Sequence, residues 1–215
     1  GERAIQGLIN TPDGKQPYKT PRRLRDDELP GIVDLFRRAT RRALQAGFDG
    51  VQLHGAHGYL LDQFLRDGVN DRNGPGHERY GGAIENRARL LLECMDAAIA
   101  EAGADRVGLR LSTLAGSNDL RDSDPEALLS HVAQQLSRRR IAYLELRHMD
   151  PALISERRIA AVARQQFQGP CCATAASARP ARKRHWMKAV PTPSCSAARS
   201  SPIRTWCSAC AWAPS

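Results

Sequence analysis

The sequence predicts an α/β fold in which parallel strands are covered by helices. Three observations carry this. Short apolar strand patterns alternate with long helical patterns from residue 29 to residue 167. The helical stretches place apolar side chains three and four residues apart with Arg between them, so each has one face to bury. The composition then breaks at residue 170, which separates a patterned body from an unpatterned tail.

Residues 1–30 read as polar and irregular, because Pro12, Gly14, Pro17, Pro21 and Pro30 prevent a long helix. A helix is expected over 29–47, where Ile32, Val33, Leu35, Phe36, Ala39, Ala43 and Leu44 recur at helical spacing and Gly47 suits the stop. A strand follows at 50–54, a short helix at 59–66 and a Gly-rich loop to Gly82. A long helix is expected over 84–102 and a strand over 107–111. Pro125 suits the first turn of a helix reaching about Arg138. A third strand is expected at 141–146 and a last helix at 154–167. A closed barrel and an open doubly wound sheet both satisfy this alternation. The lack of a G-x-G-x-x-G after a strand disfavours a dinucleotide-binding sheet.

Charge divides the chain in the same place. The formal net charge is +9, a value that raises the question of nucleic acid. Residues 171–215 hold seven Lys or Arg and no Asp or Glu, which leaves the preceding 170 residues nearly neutral. All three Trp and five of the six Cys also lie in the tail. Its basic run at 179–184 would bind nucleic acid without sequence preference, as any cationic unstructured segment does, so no specific nucleic-acid partner is expected. Cys207 and Cys210 have redox-pair spacing but no second pair beside them. Cys94, alone in the body, reads as a small core residue. No run is long and apolar enough to cross a membrane, no leader pattern opens the chain, and a reducing cytoplasm is the expected location.

The residues that carry chemistry begin at Ala46: A-G-F-D-G-V-Q-L-H-G-A-H-G-Y-L-L-D-Q-F-L. Reactive groups of parallel α/β folds collect at the carboxyl ends of strands. His54 ends the first strand, and His57 and Tyr59 follow within the turn. Two imidazole N–H groups can hold a carbonyl or nitro oxygen and stabilise negative charge developing there. A nearby phenol can deliver a proton. Plainer roles fit the same residues: a structural His, an aromatic packed at a helix start, or a zinc set of His54, His57 and Asp62.

Several words then occur in one order. H-G-A-H-G-Y-L-L-D-Q-F-L is followed by N-D-R, by Y-G-G-A-I-E-N-R-A-R-L-L-L-E and by A-D-R-V-G-L-R-L-S. T-P-R and D-E-L-P-G-I-V-D-L-F precede them, and D-S-D-P-E-A follows. Over residues 10–170 this order resembles the Old Yellow Enzyme family of FMN-dependent ene-reductases. The H-x-x-H form is similar to the plant oxophytodienoate reductases and to several bacterial members.

The resemblance implies a partial (β/α)8 barrel, with strands four to six recognisable over residues 1–170. It implies FMN as cofactor, NAD(P)H as reductant and a small activated alkene as substrate. By the same carry-over His54 and His57 bind the substrate oxygen, Tyr59 is the proton donor and Arg110 lies beneath the flavin. A permanent cation there would stabilise the reduced, anionic ring. An interior salt bridge is the alternative that Arg110's place inside a strand allows equally. Ala83 stands where the family has Ser, and residues 73–79 replace a shorter, acidic connection. Asn86 and Arg87 read as ties between a helix start and the preceding loop.

The family's chain continues after G-P with words like L-L-R-N-G-G-F and V-F-G-R-P-F-I-A-N-P-D-L-V, which hold the FMN phosphate. Residues 171–215 contain neither. Shifted by one base, Cys171 and Cys172 yield Leu, and residues 172–177 can yield R-N-G-G-F. The stretch 195–207 can yield the second word by the same rule. The tail is therefore expected to be an out-of-frame, unstructured segment, and the chain a fragment of impaired activity.

Overall fold

The computed structural model describes residues 8–72, 74, 78–114, 120–148, 153–175, 185–186 and 206–209. It opens with a hairpin, β1 (Leu8–Thr11) against β2 (Gly14–Pro17), where the sequence predicts irregular chain. The prolines prevent helix but not a two-residue turn. Pro12 and Asp13 make that turn, Gly14 takes φ +95, and Thr11 Oγ1 donates to Gly14 O at 2.7 Å.

Helix α1 spans Leu29–Gln45, with Pro30 in its first turn. It buries Leu29, Phe36 and Ala43 and packs on α3 (Ile84–Ala102). Gly103, at φ +84, ends α3 and returns its N–H to Ile99 O at 2.8 Å. Helix α4 (Pro125–Arg139) starts on Asp124, whose carboxylate accepts from Ala127 N at 2.9 Å, and ends on the left-handed Arg140. Helix α5 (Ile154–Gln166) follows, and α2 (Leu60–Leu65) is a single short turn after the first strand of the sheet.

Four parallel strands stand side by side in chain order: β3 (Gly50–Gly55), β4 (Val107–Ser112), β5 (Tyr143–His148) and β6 (Cys171–Ala175). Strand β5 begins two residues later than expected, because Arg140 and Ile141 complete the turn out of α4. Within each strand alternate residues point to opposite faces. Leu53, Leu109, Leu144 and Leu146 join one apolar cluster with Leu91, Met95, Leu129, Leu136 and Ile159 of the helices. The other face carries Gln52, His54, Arg110, Ser112, Glu145 and Thr174. Helices on one face and sequential strand order are the layout of a barrel arc. A doubly wound sheet would reverse its order and cover both faces. Gly108 serves this inner face, since a Cβ there would stand 2.5 Å from the Tyr143 ring.

Among the described residues the sheet also runs past residue 170, where the sequence carries no strand pattern. Residues Cys171–Ala175 pair in parallel with β5, from Leu144↔Cys171 to His148↔Ala175. The physical reason is the open edge of β5, whose unpaired backbone groups accept a short run of small residues in place of water. Two further pieces of the tail pair with the sheet: β7 (His185–Trp186) antiparallel to β6, and β8 (Trp206–Ala209) parallel to the outer edge of β3. The order is therefore β7-β6-β5-β4-β3-β8. Residues 179–184 and Cys210 lie outside the described residues, and so does most of 73–79.

Candidate active site

Strand β3 delivers His54 to the inner face near its carboxyl end. The chain then turns through His57, at φ +59, and Gly58, at φ +77, before α2 begins. This turn folds the His57 ring back over His54. Their centroids are 5.0 Å apart, and His57 Nδ1 lies 3.2 Å from His54 Nε2. One of these nitrogens carries a proton and donates it to the other. Tyr59 stands just before α2, with its ring 5.6 Å from that of His54 and 54% of the residue exposed. The three residues singled out from sequence are thus brought together.

The imidazoles are held neutral. Burial first, then the positive charges of Arg110 and Arg147, then the other imidazole, push His57 down to about 4. Burial and Arg110 likewise lower His54, against a weaker pull upward from Asp62 and Glu145. Neutral rings can each offer an N–H donor to an oxygen without carrying a charge into the site.

Arg110 is the register partner of His54 on β4 and shares its face. Its Nε lies 3.2 Å from Glu145 Oε1, so the interior salt bridge allowed by its strand position is present. Glu145 is buried and has further partners. Gln52 Nε2 donates to Oε2 at 2.6 Å, and Thr174 Oγ1 donates to Oε1 at 2.8 Å. The Arg110 Nε itself is buried and makes no hydrogen bond among the described residues, since it sits off the line to the carboxylate.

Glu145, Gln52 and Thr174 were not among the sequence candidates. A signal existed for the first two: Q-L-H in β3 and E-L-R in β5 alternate polar and apolar residues, which marks the polar positions as one face. Asp62 is not poised as a metal ligand. Its carboxylate accepts from Gly58 N, Ser112 Oγ and Arg66 Nε at 2.8–3.0 Å. Arg87 plays the tying role expected of it, donating from Nε to Gly82 O at 3.0 Å and from Nη1 to Asp122 at 2.5 Å. Asn86 accepts from Arg89 and donates its backbone N–H to Ala83 O.

Comparison with known proteins bears on the family of the chain. Residues 6–190 match the model of the NADH:flavin oxidoreductase / NADH oxidase family. Over 130 residues the chain is 54% identical to 12-oxophytodienoate reductase 1 of Oryza sativa subsp. japonica, covering 60% of this chain and 33% of that protein. Over 121 residues it is 54% identical to a putative 12-oxophytodienoate reductase-like protein 2A of Arabidopsis thaliana, covering 56% of this chain and 44% of that one. The old yellow enzyme homologue from Zymomonas mobilis superposes with a TM-score of 0.75 at 38% identity, over 81% of this chain and 49% of that one. Morphinone reductase in complex with tetrahydroNAD superposes with a TM-score of 0.71 at 36% identity, over 82% and 48%. The chain thus spans about a third of the first of these curated relatives and half of the solved structures. A match over most of its length, with the strand order and polar inner face that go with it, makes the chain a member of the NADH:flavin oxidoreductase / NADH oxidase family, the Old Yellow Enzymes.

Proposed function

We propose that the protein reduces activated C=C bonds, with FMN as its cofactor and NAD(P)H as the reductant. The observation that carries this reading is the pair of facing nitrogens, His54 Nε2 and His57 Nδ1, beside an exposed phenol. When bound and reduced by NAD(P)H, FMN supplies the hydride that adds to the β-carbon of an enone or nitroalkene. His54 and His57 turn their N–H groups from each other to the substrate oxygen and stabilise the negative charge that gathers on it. Tyr59 delivers its phenolic proton to the α-carbon.

The inner face suits one edge of the cofactor. Arg110 is ion-paired with Glu145 but its Nε makes no hydrogen bond among the described residues, and a flat ring system with polar edge atoms would suit the guanidinium's remaining N–H groups. Its charge, only partly offset by Glu145, would favour the anionic reduced ring. Gln52 is committed to Glu145 and acts there as a support.

A second reading, a catalytically silent remnant, is favoured by one observation. Residues 171–215 do not spell the family's phosphate-holding words, and a fragment without them loses the anion-binding backbone a phosphate needs. A flavin titration followed by FMN fluorescence separates the two. Stoichiometric quenching by this chain, with reduction of 2-cyclohexenone by NADPH, is the result the first reading expects. Absence of both, with binding restored by supplying both missing ends in frame, supports the second. A completed, flavin-loaded protein that reduces no activated alkene would overturn the ene-reductase reading.

A further inference from the structure

His57 is one of two non-glycine residues in the left-handed region among the described residues, and Gly58 beside it is left-handed too. A non-glycine residue there costs about 1 kcal/mol or more and persists only where its surroundings hold it. The restraint comes from two side chains, one on α2 and one at the end of β4. His57 N–H donates to Ser112 Oγ at 2.9 Å, and the Ser112 hydroxyl donates on to Asp62 Oδ2 at 3.0 Å. Gly58 N–H donates to the same Asp62 Oδ2 at 3.0 Å. The Asp62 carboxylate thus takes the Gly58 N–H directly and holds the His57 N–H through the Ser112 hydroxyl.

The clamp is anchored behind. Asp62 Oδ1 accepts from Arg66 Nε at 2.8 Å, and Arg66 Nη1 reaches Thr113 O on the far side of Ser112. Gln63 Nε2 holds Gly58 O at 2.8 Å. Asp62 and Ser112 are each 1% exposed, so water does not replace these bonds. The turn sets where the His57 ring meets His54 and where Tyr59 stands, and Ser112 lies two residues beyond Arg110 on the same strand face.

We propose that Asp62 and Ser112 are positioning residues, which lock the left-handed His57–Gly58 turn and thereby hold the two imidazoles and the phenol in one site. The role rests on the function proposed above for His57 and Tyr59, but the geometry does not need flavin to be tested. The charged groups that bear on the His57 ring are Arg110, Arg147, His54 and Glu145, none of which the Ser112 substitution removes.

The test is solution NMR of the full chain without flavin. In the unmodified protein the His57 and Gly58 amides should be protected from hydrogen exchange, and His57 should titrate near pH 4. In Ser112→Ala both amides should exchange roughly tenfold faster, the size expected for loss of one buried hydrogen bond. The His57 midpoint should move up toward the free value as its ring leaves its half-buried place and moves away from Arg110, Arg147 and His54. Ser112→Thr, which restores a hydroxyl, should return both readouts, whereas a merely space-filling role would be met by Ala. Unprotected amides in the unmodified chain, or an unchanged exchange rate and midpoint in a folded Ser112→Ala, would overturn the proposal. A failure of FMN to bind would leave these outcomes intact and count against the function alone.

Discussion

His54 Nε2 and His57 Nδ1 face each other across 3.2 Å, a distance that holds one shared proton and no third atom between them. With nothing between them, one ring must present a bare nitrogen. An oxygen that takes an N–H from each ring must approach from beside the pair and break the bond between them, which requires one imidazole to change tautomer. Imidazole 15N shifts should therefore report a mixed pair, one nitrogen protonated and one bare, in the unliganded protein. A phenolate bound with flavin should convert both facing nitrogens to the protonated form.

The depressed proton affinity of His57 makes stability depend on pH with a definite sign. Its folded value is about 4 against an ordinary 6.5, so between these values the unfolded chain binds the proton and the folded chain does not. The stabilising contribution of the neutral ring is fully present above about pH 6.5. It falls as pH drops from 6.5 toward 4 and is gone below. His54, lowered in the same direction, adds to the trend. Urea midpoints measured between pH 7.5 and pH 4.5 should fall. In His57→Gln, which removes the titrating ring, the fall should be shallower.

Tyr59 is exposed to solvent, its backbone bonds to Ala56 and Gln63 do not involve the side chain, and its one ring contact among the described residues is with His54, which Phe would keep. Tyr59→Phe should leave the unfolding midpoint within about 0.5 kcal/mol of the parent. In flavin-loaded protein it should leave the reductive half-reaction with NAD(P)H unchanged and slow alkene reduction by roughly 10²–10⁴-fold. Stopped-flow absorbance of the flavin separates the two half-reactions, and equal slowing of both would remove Tyr59 from the proton-transfer role.

Much of this site was legible because its parts are close in sequence. His54, His57 and Tyr59 fall within one strand end and the turn after it, where parallel folds place their chemistry. Arg110 entered through the family resemblance, while its place inside a strand left an interior salt bridge equally open. Its partner was not legible, because Glu145 meets it only through the register Arg110↔Glu145, and register is a property of the sheet. The β1–β2 hairpin was missed for a local reason: prolines were read as breakers when Pro12-Asp13-Gly14 is a turn. Strand β6 was missed because its residues carry no strand pattern of their own, and the neighbouring edge imposes one.

Glu145 is where a small change should have a large structural effect. Its buried carboxylate serves Arg110, Gln52 and Thr174 together, so Glu145→Ala leaves a guanidinium without its counter-ion and an amide without its acceptor. A loss of about 1–3 kcal/mol is expected, read from urea unfolding. Glu145→Gln, which keeps an acceptor for Thr174 but not the charge, should cost less. It should also bring His57 and His54 lower still, because Glu145 is among the groups that raise both.

The tail makes a prediction in nucleotides. Cys171 followed by Cys172, read one base later, can only give Leu, and the next five codons can give the Arg-Asn-Gly-Gly-Phe that the family carries there. The same shift over 195–207 can give Val-Phe-Gly-Arg-Pro-Phe-Ile-Ala-Asn-Pro-Asp-Leu-Val. Each shifted codon admits only a handful of residues, so two family words in one register are hard to reach by chance. The pairing of Cys171–Ala175 with β5 does not argue otherwise, because an open parallel edge accepts short, small residues of either reading. The coding DNA should therefore hold third bases that spell both words, with the frame changing near Pro170. A set of codons that cannot spell them would end the idea. Mass spectrometry of the natural product then decides where the change lies: C-terminal peptides rich in Cys, Trp and Arg would mean that the frame change is genuine, whereas the Gly-Gly-Phe peptide would place it in the sequence record and return a phosphate site to the enzyme.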